Sequence, residues 1–107
     1  MERMKIMLPN IVCVDDIELD CEPHQIIRKL YSFKEIGSEN DDTYVNVIGK
    51  ACMENDEPVI HAYFENNDEI PREFSRDFLE SCLVETKIMI AVELATTLFH
   101  KQLRFAN

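Results

Sequence analysis

The sequence predicts an α+β fold in which a small antiparallel sheet packs against one long C-terminal helix. Residues 16–22 alternate strictly between acidic and apolar side chains, which is the period of a strand with one buried face. Residues 43–65 hold two β-rich segments separated by the polar residues 54–57, a pattern typical of a hairpin. Residues 71–103 are largely apolar with a four-residue spacing, which favours a helix.

The N-terminal strand is expected to run from Ile11 to about Cys21 and to end before Pro23. Within it Ile17, Leu19 and Cys21 share one parity, so we expect them to face the core. The other parity carries four carboxylates, which a strand would space ~7 Å apart on its solvent face. These are Asp16, Glu18, Asp20 and Glu22.

Residues 24–36 fit two kinds of secondary structure. The spacing of Ile26 and Leu30 matches one face of a helix, and we predict a short helix over this segment. Tyr31 and Phe33 alternate with polar side chains, which leaves a strand as the alternative. Joined to the N-terminal strand and the hairpin, the segment completes a single domain that spans residues 1–107.

The C-terminal helix is predicted to begin near Pro71, because proline suits the first turn of a helix. Residues 83–99 are apolar almost all round, although their β-branched side chains leave a strand over 84–94 as an alternative. One sheet face cannot cover such a helix, so we predict a homodimer that buries the remaining apolar surface. The predicted interface residues are Ile88, Ile90, Val92, Leu94, Leu98 and Phe99.

The net charge of −10 is concentrated in the first two thirds of the chain. Residues 1–73 hold seventeen acidic and seven basic residues, whereas residues 74–107 hold four of each. Binding to nucleic-acid phosphates needs clustered Lys and Arg, so direct nucleic-acid binding is not expected. An anionic membrane surface would also be repelled, and no segment is long and apolar enough to span a membrane. The charge favours a basic protein partner.

Motifs for catalysis, cofactors or metals are not found. Two glycines cannot build a phosphate-binding loop, and no G-x-S-x-G or G-x-G-x-x-G sequence occurs. The three histidines and four cysteines lack the pair spacing of a zinc site, and the carboxylates match no Ca²⁺ loop. Irregular cysteine spacing and the absence of a signal peptide predict reduced thiols and a cytoplasmic location. We therefore expect no enzyme, no cofactor and no metal.

The function that this pattern favours is a non-enzymatic binding module that presents an acidic surface to a basic partner. In its sharper form it is an inhibitor that mimics nucleic acid and occupies the groove of a nucleic-acid-binding protein, as small proteins of phages and mobile elements do. Binding of this kind should weaken with salt, because exposed charges are screened within ~8 Å at physiological ionic strength. The predicted binding residues are Asp16, Glu18, Asp20, Glu22, Asp41, Asp42, Asp56 and Glu57.

The alternative is a small acidic dimeric chaperone or assembly factor. The hairpin followed by a long helix, from Tyr44 to Phe99, resembles the sheet-then-helix order of SecB-like chaperones, and the size and charge resemble those of secretion chaperones. The resemblance implies binding of apolar client segments through exposed apolar grooves. Such binding would depend little on salt, which separates this hypothesis from the first.

Overall fold

The protein has a two-layer α+β structure, given by a computed structural model that describes residues 11–36, 44–66, 70 and 74–106. Side chains of the last helix are described as far as Thr97. Neighbouring strands are antiparallel and follow the chain order, so the sheet is a four-stranded meander with one helix on one face. This confirms the predicted fold class. The elements are β1 (Ile11–Glu18), β2 (Gln25–Glu35), β3 (Val45–Glu54), β4 (Glu57–Phe64) and α1 (Arg76–Ala106).

The predicted short helix over residues 24–36 is wrong, because the segment forms the inner strand β2. The alternation of Tyr31 and Phe33 with polar residues, which indicated a strand, is the pattern that matches the structure. Tyr31 and Phe33 are buried against α1, and both neighbouring strands pair with the backbone of β2. A bulge between Gln25 and Ile27 explains the misleading signal. It places Ile26 and Ile27 in succession against the core, which imitates helical spacing.

The predicted hairpin is confirmed as β3 and β4, with a turn shorter than the polar segment suggested. Glu54 and Glu57 pair within the ladder, so only Asn55 and Asp56 form the turn. Both turn residues have positive φ angles, 53° and 67°. Such angles are those of a type I′ turn, whose twist matches the twist of the two strands.

The helix α1 begins at Arg76, after Phe74 and Ser75, rather than near Pro71. Pro71 itself lies outside the described residues. The Ser75 hydroxyl accepts a hydrogen bond of 3.1 Å from the backbone N–H of Phe78, which is an N-cap. Residues 84–94 lie within α1, so the strand alternative for them is wrong.

The core lies between α1 and one face of the sheet. Residues four apart along α1 point into it, because that spacing keeps them on one side of a helix. Gly49 of β3 allows the close approach: a Cβ atom at this position would lie 2.6 Å from Cγ2 of Thr86 and 2.8 Å from Cγ1 of Ile90. The buried Thr86 hydroxyl donates a 2.8 Å hydrogen bond to the backbone oxygen of Cys82. The helix residues in the core are Phe78, Cys82, Thr86, Ile90 and Leu94.

Strand β1 turns the opposite face toward the core from the one expected. A bulge between Cys13 and Asp15 shifts its register, so Asp16 pairs with Tyr31 on the helix side of the sheet. Ile17 pairs with Leu30 on the other side and is 49% exposed. The expected core face of Ile17, Leu19 and Cys21 is therefore wrong, since Leu19 is only half-buried and Cys21 is exposed.

Candidate partner-binding site

Five carboxylates from two separate turns meet at one end of the sheet. In an antiparallel meander the β1–β2 and β3–β4 connections emerge at the same end. A hydrogen bond of 2.8 Å from the backbone N–H of Met53 to the backbone oxygen of His24 joins the two connections there. All five carboxylate side chains are exposed. This acidic end consists of Asp20, Glu22, Glu54, Asp56 and Glu57.

The acidic end is held by local contacts that leave most of its charge uncompensated. Among the described residues, the side-chain contact found on these carboxylates is a hydrogen bond of 2.9 Å between His61 Nε2 and Glu54 Oε2. Arg28 donates from Nη1 to the backbone oxygen of Asp20 at 3.2 Å, so it fixes the turn without pairing with a carboxylate. The side-chain oxygen of Gln25 accepts from the backbone N–H of Glu22 at 2.8 Å. The negative side chains consequently face solvent.

The structure divides the predicted acidic residues into three sets. Asp20, Glu22, Asp56 and Glu57 come together at the acidic end. Asp16 and Glu18 lie on the helix side of β1, and the expected straight row of four carboxylates does not form because β1 ends at Glu18. Asp41 and Asp42 lie outside the described residues. The predicted β3–β4 hairpin was the sequence signal that could have placed Asp56 at the same end of the sheet as the β1–β2 connection.

An open cleft of about 270 Å³ lies between α1 and the edge of the sheet. Its centre is Lys29, a buried cation that sequence reasoning missed. Lys29 Nζ lies 3.0 Å from Glu93 Oε2, 3.7 Å from Asp16 Oδ1 and 5.6 Å from the centre of the Tyr31 ring. The sequence signal that could have found Lys29 is its spacing, because Lys29 lies two residues from Tyr31 and therefore on the same buried face of β2 as Tyr31 and Phe33. The lining residues are Asp16, Lys29, Tyr31, Ile88, Met89, Val92 and Glu93.

Protonation in the cleft is fixed at neutral pH. Burial lowers the pKa of Lys29, but the hydrogen bond to Glu93 and the negative charges around it outweigh burial and leave the pKa raised. Burial raises the pKa of Tyr31 to about 12. Lys29 is therefore charged and Tyr31 neutral, and neither group is poised for proton transfer near pH 7. Two acidic residues and one lysine line the cleft, so its formal charge is −1.

The thiols of Cys13 and Cys82 are protonated and inward-facing. Burial raises the pKa of Cys82 to about 12, and it also raises the pKa of Cys13. A protonated thiol is a weak nucleophile and a weak metal ligand. Within the described part of the chain, no group of three or more His, Cys, Asp or Glu residues is arranged to hold a metal ion.

The predicted dimer interface is split between the two sides of α1. Ile88 and Val92 are 51% and 61% exposed on the outer side. Ile90 and Leu94 are buried against the sheet, because they continue the four-residue ridge that faces the core. These two cannot contribute to an interface on the helix surface. The side chains of Leu98 and Phe99 lie beyond those that the structure describes.

Comparisons with known proteins give no match. A scan against protein-family models finds no family for this chain, and searches of curated proteins and of solved structures find no similar protein. Of the helices in the described residues, none is long and apolar enough to cross a membrane. The geometry and charge of the described surfaces are therefore the basis of the functional proposal.

Proposed function

We propose that this protein is a non-enzymatic binding module whose acidic end recognises a basic surface of a protein partner. The observation that supports the proposal is the convergence of two turns, which places five exposed carboxylates at one end of a rigid sheet. The backbone that carries these carboxylates is held by strand pairing and turn hydrogen bonds, so this end of the protein would lose little backbone freedom when a matching cationic surface binds. A net charge of −10 would steer such a partner toward the protein.

The position of the cleft supports the same partner chemistry. Asp16 and Glu18 follow the edge of the sheet from the cleft toward the turn that carries Asp20 and Glu22. Acidic side chains thus extend from the cleft to the acidic end. The protonated states of Lys29 and Tyr31 suit a binding surface better than a catalytic one.

Mimicry of nucleic acid is the narrower form of this proposal. The geometry favours a compact cluster at the acidic end over a straight row of regularly spaced charges. A cluster of this kind would compete for phosphate-binding Lys and Arg residues on a nucleic-acid-binding protein. Competition by duplex DNA or by RNA for the captured partner tests this form separately from acidic recognition in general.

The experiment compares capture of partners from a host lysate by three immobilised proteins. The test variant carries Asp20→Asn, Glu22→Gln and Glu57→Gln. The matched control carries Asp77→Asn, Glu80→Gln and Glu85→Gln on exposed positions of α1 and loses the same charge. Each captured protein is then purified, and its affinity for all three is measured over a range of salt concentrations.

We expect the test variant to bind the partner about tenfold more weakly than the original protein, which corresponds to about 1.4 kcal/mol. The control variant should bind with nearly unchanged affinity, and affinity should fall as salt rises. Equal weakening in both variants would mean that total charge alone drives capture. Unchanged affinity in the test variant would refute recognition by the acidic end.

A chaperone or assembly factor is the second candidate, supported by exposed apolar side chains on the outer side of α1. Val84, Ile88 and Val92 are each more than half exposed and lie four residues apart. This stripe is suited to contact an apolar client segment. Suppression of the aggregation of an unfolded model protein, insensitive to salt and lost in Ile88→Lys, would favour this function over acidic recognition.

A further inference from the structure

The second face of the sheet is not covered by any element among the described residues. All contacts of α1 with the core are on the first face, so we call the second face the open face. Strand register aligns its side chains into rows that cross all four strands. The central row is apolar; its end members Ile17 and Tyr63 are 49% and 40% exposed, whereas Ile48 within the row is 8% exposed. The row consists of Ile17, Leu30, Ile48 and Tyr63.

A polar and acidic row borders the central row on one side. Asp15 pairs with Ser32, and Ser32 pairs with Asn46. The Ser32 hydroxyl donates to Asn46 Oδ1 at 2.7 Å, and Asn46 Nδ2 donates to Glu65 Oε1 at 3.3 Å, which ties Glu65 into the same row. The two carboxylates thus lie at opposite ends of this row, Asp15 on β1 and Glu65 directly after β4.

A basic row borders the central row on the other side. Arg28 of β2 pairs with Lys50 of β3, and Lys50 pairs with His61 of β4. The Lys50 ammonium lies 5.5 Å from the centre of the Tyr63 ring, which keeps its stem along the apolar row. Successive rows on one face are ~7 Å apart, because two residues separate them along each strand. Across these three rows the open face is therefore acidic, apolar and basic in sequence.

This order of rows is complementary to itself under a two-fold rotation. A rotation axis that lies in the plane of the face and follows the apolar row places apolar side chains on apolar side chains. It also reverses the direction along the strands, so the basic row of one copy lies over the acidic row of the other. Most stable oligomers use such an isologous arrangement, in which one patch binds its own copy.

We propose that the open face binds a second copy of this chain, giving a dimer of two stacked sheets with a helix on each outer side. Four strands spaced ~4.8 Å apart and eight residues long at ~3.4 Å per residue offer a flat area of ~500 Å². Side-chain relief enlarges the accessible area toward the ~800 Å² per partner of a standard interface. The exposed apolar stripe of Val84, Ile88 and Val92 on α1 is narrower than the open face, and it lacks flanking rows of opposite charge. This inference does not rest on the proposed function.

The first experiment measures self-association by analytical ultracentrifugation of the full chain from 1 to 100 μM. The test variant is Ile17→Lys, since the two-fold axis would bring the two introduced charges together. The matched control is Ile88→Lys, which places the same charge at a similarly exposed apolar position on α1. Circular dichroism verifies that both variants keep their secondary structure.

We expect the original protein and Ile88→Lys to dimerise, and Ile17→Lys to have a dissociation constant at least about 100-fold higher, as two buried like charges would require. Dimerisation lost in Ile88→Lys and kept in Ile17→Lys would assign the interface to α1 and overturn the proposal. An original protein that stays monomeric at 100 μM would overturn it as well.

A charge exchange tests the orientation of the two copies. Lys50→Glu should weaken the dimer about tenfold at low salt, because it would place a carboxylate over the acidic row of the second copy. Adding Glu65→Lys should restore most of the affinity. Within one chain the two positions belong to rows ~14 Å apart, so restoration would be a signature of contact between copies. Failure to restore would overturn the proposed two-fold arrangement.

Discussion

Single residues decide how closely the two layers approach, and Gly49 is the clearest case. Its missing side chain makes room for Thr86 and Ile90, both fully buried. Both neighbours branch at Cβ and have few alternative rotamers inside a helix. The separation of α1 and β3 is therefore set by atoms that cannot move without shifting the helix.

Gly49→Ala is expected to destabilise the protein by about 1–3 kcal/mol, the usual cost of overpacking a core. The added methyl group would require Thr86 and Ile90 to move. Urea unfolding followed by circular dichroism measures this change in the free energy of unfolding.

Thr86→Ser provides the corresponding control, because serine lacks Cγ2 and keeps the hydroxyl that bonds to Cys82. The cost of Gly49→Ala should be smaller in the Thr86→Ser background. Equal costs in both backgrounds would show that the contact with Thr86 does not limit the approach of the layers.

Residue identity alone could not predict which side of β1 faces the core. Alternation of Asp16 and Ile17 was read correctly as a strand, but the orientation depended on a bulge near Val14 and on the position of α1. The cleft around Lys29 was missed for the same reason. Its partners Asp16 and Glu93 come from distant parts of the chain, and only the folded structure brings them together.

Elements with strong local signals were predicted well. The hairpin and the long helix follow from turn residues and from length, both readable within a short window of sequence. Strand β2 was misassigned because its bulge imitates helical spacing, and its pairing with β1 and β3 is not local information. Long-range pairing therefore overrode local preference in this segment.

The β3–β4 turn gives a prediction at the scale of one element. Asp56 has a φ angle of 67°, a region that glycine occupies without steric cost. Asp56→Gly should stabilise the protein by up to about 1 kcal/mol, since Asn-Gly is a preferred type I′ sequence. Asp56→Val should destabilise it by about 1–2 kcal/mol, the cost of a left-handed conformation for a branched residue. Thermal unfolding of the original protein, Asp56→Gly and Asp56→Val measures this order of stability, and equal unfolding midpoints would contradict it.

The whole molecule should lose stability in alkaline solution. The Cys82 thiol has an ordinary pKa of 9.0, which burial raises to about 12 in the folded protein. Above pH 9 the unfolded chain releases a proton that the folded chain retains, so the free energy of unfolding falls as pH rises. Tyr31 acts in the same direction above pH 10, and so does Lys29 above pH 10.5, where the unfolded chain releases the Lys29 proton that the folded chain, with its raised pKa, still retains.

Denaturant unfolding from pH 7 to 11 tests this expectation. The contribution of Cys82 should approach about 1.4 kcal/mol per pH unit above pH 9. Cys82→Ala should be less stable at pH 7, yet its stability should fall less steeply between pH 9 and 10. Cys21→Ala, at an exposed thiol, should keep the original slope. An unchanged slope in Cys82→Ala would contradict the role of burial.

The meander order of the strands has a consequence for how the chain folds. Each of the four described strands pairs only with its neighbours in sequence, so the sheet can grow by successive hairpins without closing a long loop. The two-residue turn makes β3 and β4 the pair with the smallest closure cost, and we expect it to form early. Addition of β2, then β1, and docking of α1 would follow. Pairing of strands that are adjacent in sequence lowers the mean sequence separation of the sheet contacts, which favours faster folding than a sheet with crossover connections would allow.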